Sequence, residues 1–367
     1  MNIIDKNSRK LRNASKHLMM QDINTIYNIA THPQFKKEDT SVFTMGILPY
    51  LTACVDSAIE LMKKAQIDFS NFSLLRDYAL VMTKTRAKIK MYRERAGKNI
   101  NIIENIRVEK NEEFEQMLRF PFLNQINANY DLGTYLLDGQ YIGNTFLYEW
   151  FFDEIKRIET ENPHFDFSYA LGEATGYIKN MRKTNKRIAG DFDFGTIRYK
   201  DYNITHRPNE LFISGFEKGH CLFLFNLLCQ TNFAVYYLDR ILSKTNSFSI
   251  RTKYLIYYFV CSSVRSLDNY CTQNKKDKIL DSSTLQDVYE LCNEGFCNSM
   301  RHYEIINATF LDVYKGQSDE LDALVECFFS YSKQDFVDKL NSHLGFISNY
   351  VAEKILLNRN EKGNLFN

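Results

Sequence analysis

The stretch Phe296-Cys297-Asn298-Ser299-Met300-Arg301-His302-Tyr303 decides how the chain is read. It brings an amide, a guanidinium, an imidazole and a phenol close together in an otherwise plain helical sequence. The segment around it repeats apolar residues at helical spacing, which predicts that these groups project from a helix beside a packed core. Further on, Phe336, Leu340, Leu344, Ile347, Tyr350, Val351 and Ile355 recur at the same spacing. They predict a closing amphipathic helix.

Working outward, the whole chain reads as all-α, a multi-helix bundle. Only 5 prolines and 15 glycines occur in 367 residues, too few for a fold built on many tight turns. The hydrophobic content of 44% is enough for a large core. Helical spans are expected over 13–31, 40–66 with a kink or break near Pro49, 69–96, 99–119, 123–160 loosened by Gly133, Gly139 and Gly143, and 168–188. Gly190 to Ile204 alternates and holds β-formers, so it is expected to be a short hairpin or extended connector, closed by Pro208. Beyond it, helices are expected over 209–243, 249–273, 282–293, 296–314, 318–330 and 332–358. The organisation is then an N-terminal helical domain of unknown role, 1–189, a connector, 190–207, a second helical bundle, 208–358, and a polar tail, 359–367.

The net charge of +1 gives no strong overall field, so nucleic-acid contact needs a local patch. Eight cysteines without a Cys-x-x-Cys pair argue for buried free thiols in a reducing cytoplasm, not a zinc site or a disulfide framework. The polar Met1–Arg12 segment does not read as a signal peptide. Cys221–Leu242 is apolar, but Gln230, Asn232, Asp239 and Arg240 favour a buried helix over a membrane span.

The region 208–358 resembles the HEPN superfamily, small helical bundles with an Arg-x(4–6)-His motif, commonly Arg-Asn-x-x-x-His. Asn298 and His302 match the second and last positions, and Tyr303 follows as an aromatic. Cys297 stands where the family has its Arg, and Arg301 lies one residue before His302, about 100° away round a helix. The resemblance implies a bacterial protein of defence or stress response that binds RNA or nucleotide. It also implies a homodimer, and metal-independent endoribonuclease activity with no cofactor. His302 would be the acid/base and Arg301 the phosphate contact, with Asn298 and Tyr303 as binding residues. The alternative is a non-enzymatic adaptor, sensor or immunity protein acting through protein contacts, which the Cys297 departure favours.

Other clusters carry two readings each. Arg12-Asn13-Ala14-Ser15-Lys16-His17 matches Arg-Asn-x-x-x-His in full. It is either a solvated basic segment or a site whose supporting helices come from elsewhere in the fold. The run Lys84–Lys98, with Lys84, Lys88 and Arg95, is a solvated helix face or a surface that tracks phosphates. Lys179–Arg187 reads the same way. Glu217-x-x-His220 has a di-iron spacing without its second pair, and Asp191 and Asp193 read as a polar loop, so no metal is expected. Walker A, Gly-x-Gly-x-x-Gly and Gly-x-Ser-x-Gly are absent from the sequence.

Overall fold

The computed structural model describes residues 3–36, 40–69, 72, 76–90, 96–117, 131–153, 155, 158, 161, 163–181, 192–281, 283–306, 309–315 and 319–357. Arg95, Asp191 and the tail 359–367 lie outside them.

Helices dominate, as the scarcity of turn residues predicts. Among the described residues there are twelve helices and one three-stranded antiparallel sheet. The first, α1 (Ile3–Thr31), ends just before Pro33. It buries Leu18, Met19, Ile23, Ile26 and Ile29. α2 (Ser41–Lys64) runs unbroken through Pro49, which is buried inside it. A break at that proline is therefore not seen; burial on nearly all sides holds the helix together despite the lost hydrogen bond. α3 (Ala79–Ile89) and α4 (Ala96–Met117) follow.

The largest departure from the sequence reading comes next. Residues 132–144, expected to be helical, form a hairpin of β1 (Leu132–Leu137) and β2 (Gln140–Asn144). Its two-residue turn is Asp138-Gly139, both left-handed at φ 50° and 75°. That handedness matches the twist of paired strands, which is why Asp-Gly marks such hairpins. β3 (Ile197–Tyr202) pairs antiparallel with the other edge of β1, from Leu132↔Tyr202 to Leu137↔Ile197, giving the order β2-β1-β3. The expected connector thus supplies one strand to a hairpin that lies far earlier in the chain. Asp131 secures its exit by accepting from the Ile204 and Thr205 amides at 2.7 and 3.0 Å.

Asn144 ends β2 and caps α5 (Thr145–Phe152), its side chain accepting from Leu147 N. α6 (Pro163–Asn180) packs on α1. α7 (Lys218–Ile241) contains a π-helical segment, Phe233–Tyr237. α8 (Ser247–Gln273) is capped by Asn246. A 3-10 turn, Asp287–Leu291, leads to α9 (Glu294–His302), capped by Asn293. α10 (Phe310–Tyr314), α11 (Glu320–Phe329) and α12 (Lys333–Ile355) complete the chain. Ser332 caps α12, which buries Phe336, Leu340, Leu344, Ile347, Val351 and Ile355 as the periodicity predicts.

α2 and α7 have the length and apolar composition of membrane spans, α7 despite its polar residues. Their apolar windows are 78% and 89% buried inside the molecule, the environment of core helices. One hydrophobic core runs from Ala14 to Ile355, so side chains from both halves of the sequence share it. α1 packs on α8, α10 and α11, α2 on α9, and α4 on α7 and α8.

Candidate functional site

Two helix segments carry the chemistry singled out above, and their surroundings differ. In α9, Phe296, Cys297, Ser299 and Met300 face the core, and Asn298, Arg301 and His302 are half-buried. The helix stops at Tyr303, which is left-handed at φ 55°. The expected continuation to Tyr314 is therefore broken. A tyrosine rarely adopts this conformation, and tertiary contacts hold it here. Its ring is fully buried under the Arg251 guanidinium, 4.0 Å away, and its hydroxyl donates to Asp22 Oδ2 at 3.0 Å. Arg251 Nε also donates to Asp22 Oδ2, forming a buried ion pair between α8 and α1. Tyr303 is thus a core residue with no face left for a ligand.

The other polar groups of this end satisfy each other. Arg301 Nε donates to His302 Nε2 at 2.7 Å, and Ser57 Oγ donates to the Arg301 carbonyl. Arg86, from the basic run, forks onto Glu60 at 2.9 and 3.2 Å and pairs with Asp56 at 2.8 Å. Lys64 pairs with Glu304. Burial, then the charges of Arg301 and Arg86, push the His302 imidazole down to about 4. Burial pushes the Asp56 carboxyl up to about 6, against the pull of Arg86. His302 is therefore neutral, and one ring nitrogen is taken up by Arg301. Two segments distant in sequence, the basic run and the α9 end, do converge, through Arg86 and across α2. Lys88 instead pairs with Asp153, and Lys84 is half-buried on α3.

The second segment is Arg12–His17, in the first half of α1. Arg9, Lys10, Arg12, Asn13 and His17 are exposed and Lys16 is half-exposed. None of these four cations forms an ion pair with another described residue. Lys10 and Asn13 stand on the same helical stripe as His17, two turns and one turn before it. His17 Nδ1 lies 2.5 Å from Glu320 Oε1 on α11. The His17 side chain is 50% exposed and that of Glu320 only 2%. Tyr314 donates to the same Glu320 oxygen at 2.6 Å, and Gln21 Nε2 reaches the other at 3.3 Å. The Glu320 hydrogen bond is the main reason that the Tyr314 phenol is pushed up to about 12. Three donors thus fix one buried carboxylate, which in turn fixes one half-exposed imidazole. With Nδ1 engaged, Nε2 is the nitrogen left to exchange a proton with a ligand.

The residues that meet this segment, Tyr314 and Glu320, stand on α10 and α11. Sequence reasoning did not find Glu320 or Tyr314. His17 and Glu320 are 303 positions apart, and Glu320 carries only the ordinary signature of an acidic residue in a first helical turn.

At Glu217, Lys276 takes up the carboxylate at 2.8 Å, with His220 at 3.7 Å. Among the described residues no group of three or more His, Cys, Asp or Glu is arranged to hold a metal ion. No protein-family model, curated protein or solved structure matches this chain.

Proposed function

We propose that this protein binds RNA along the basic first half of α1 and cleaves it without a metal, with His17 moving the proton. The observation that carries this reading is the half-exposed His17 ring held through Nδ1 by the buried Glu320, on a stretch matching Arg-Asn-x-x-x-His in full. Cleavage by an internal nucleophile needs little else. His17 Nε2 takes the proton of a ribose 2′-hydroxyl, the oxygen attacks the adjacent phosphorus, and the 5′-oxygen leaves with a proton from solvent. Lys10, on the His17 stripe, supplies positive charge against the negative charge that the phosphorane gathers. Glu320 keeps the ring oriented and faces the charge it acquires, the role of the carboxylate in a catalytic triad. The reading implies a cytoplasmic protein.

The test is the purified full chain on end-labelled single-stranded and hairpin RNA, with and without chelator. Cleavage should persist with chelator and be lost in His17→Ala. No cleavage by the wild type, or equal cleavage by His17→Ala, would overturn the reading.

A second reading has its own support. At the α9 end, Cys297 is buried where a guanidinium is expected, and Arg301, His302, Arg86 and Lys64 are engaged within the chain. This favours a non-enzymatic adaptor, sensor or immunity protein acting through a dimer or another protein partner. Such a complex should survive His302→Ala on size-exclusion chromatography; its loss on that change alone would argue against this reading.

A further inference from the structure

Cys292 stands apart from the buried thiols, including its neighbour Cys261, which burial pushes well above the ordinary thiol range. Burial pushes the thiols of Cys54, Cys221 and Cys229 up to about 12, far from reactivity at neutral pH. Cys292 is shifted the other way, first by the Cys261 thiol beside it and then, against its own burial, by the nearby Arg265. The geometry explains this. Tyr257, Cys261 and Arg265 follow at four-residue intervals on α8, so they line one face. The 3-10 turn Asp287–Leu291 lies across that face and ends at Cys292. Cys292 Sγ is 3.7 Å from the Tyr257 hydroxyl. Tyr257 donates to the Val288 carbonyl, and Arg265 lies 3.8 Å over the Tyr289 ring, so the turn is anchored on both sides of the thiols. Cys261 is buried and Cys292 is partly open to solvent.

We propose that Cys261 and Cys292 are a peroxide-oxidised thiol pair that closes a reversible disulfide between α8 and the residue just ahead of the α9 cap. The Cys292 thiolate attacks one oxygen of hydrogen peroxide. The S–O bond forms, the O–O bond breaks, and the hydroxide released takes the thiol's former proton to leave as water. The sulfur of Cys261 then attacks the sulfenic sulfur of Cys292. The S–S bond forms and the S–O bond breaks, and the departing hydroxyl takes the Cys261 proton as a second water. Two electrons pass from the thiols to the peroxide, and a dithiol reductant reverses the step. The partly open thiol meets the oxidant, and the buried one resolves it.

The bond would tie α8 to the cap of the helix that delivers Tyr303 to Asp22 on α1. It does not depend on RNA cleavage. The test uses the reduced full chain treated with hydrogen peroxide, quenched with catalase, unfolded, and alkylated with N-ethylmaleimide. Intact mass and peptide mapping should show two fewer alkylated cysteines and a peptide pair linked through 261 and 292, both reversed by dithiothreitol. Cys261→Ser should stop at a sulfenic acid on Cys292, trapped by dimedone. Alkylation of all eight wild-type cysteines after peroxide, or a link between any other pair, would overturn the proposal. So would an unchanged loss of two thiols in Cys292→Ser. The wild-type map decides the question even where a variant fails to fold.

Discussion

His17 and His302 both sit on helices beside arginines, and both fall in segments with the same motif spacing. Their partners make them different groups. His17 meets a buried carboxylate through one nitrogen and solvent on its other side. His302 meets a guanidinium, lies near a second, and is half-buried. A carboxylate orients an imidazole for proton exchange, whereas burial beside cations holds it neutral. A motif read as residue types cannot distinguish these cases. The partner decides: Glu320 comes to His17 from another helix, whereas His302 has Arg301 on its own helix, joined by Arg86 from another.

The comparison breaks most readily at the ion pair beneath both sites. Asp22 lies on α1, one turn and a residue beyond His17, and ties that helix to Arg251 and Tyr303. Asp22→Ala leaves a buried guanidinium uncompensated and should cost about 3–5 kcal/mol in denaturant unfolding. Both helical segments should loosen together, read as faster amide exchange in α1 and α9. Against that, His17→Ala should destabilise by no more than about 1–3 kcal/mol, for the hydrogen bond lost at Glu320, and reduce RNA cleavage about 10²–10⁴-fold, with His302→Ala cleaving close to wild type. Glu320→Gln should lower kcat more than it raises KM.

A smaller effect sharpens the structural half of the contrast. Tyr303→Phe removes a hydrogen bond to a buried carboxylate and should destabilise by about 1–3 kcal/mol, with cleavage retained. Acid acts on the α9 end through His302 and Asp56, which shift in opposite directions. His302 is held at about 4, against an ordinary 6.5, so between those values it is neutral when folded and protonated when unfolded. Its contribution to stability is complete above 6.5 and is lost as pH falls towards 4. Asp56, raised from 3.8 to about 6, opposes this: its contribution is complete below 3.8 and is lost as pH rises through 6. His302→Gln should therefore lose less stability than wild type on acidification from about pH 7 to about pH 4.5 in urea titrations. Least of all, Lys64→Ala at the exposed Lys64–Glu304 pair should change stability by under about 1 kcal/mol.

Much of the fold was legible in the chain. The apolar stripe of α1, its stop before Pro33, the Ser332-capped closing helix and the extended character of Ile197–Tyr202 follow from local chemistry: side-chain periodicity, capping and backbone restriction. The hairpin at 132–144 was also written locally, as Asp138-Gly139 between two short apolar runs. Its glycines do not loosen a helix; two of them leave room for tyrosines. A Cβ on Gly133 would come 2.3 Å from the Tyr199 hydroxyl, and one on Gly143 equally close to that of Tyr148.

The sequence by itself determined the helical class and the residue types at both motif segments, Cys297 among them. Tertiary structure alone decided that Tyr303 turns inward, that burial with Arg301 and Arg86 holds His302 neutral, and that Glu320 comes to hold His17. The physical reason is that helix formation is local, set by residues a few positions apart. The state of an imidazole is set by whatever charge the fold brings within hydrogen-bond reach, here across 303 positions of chain.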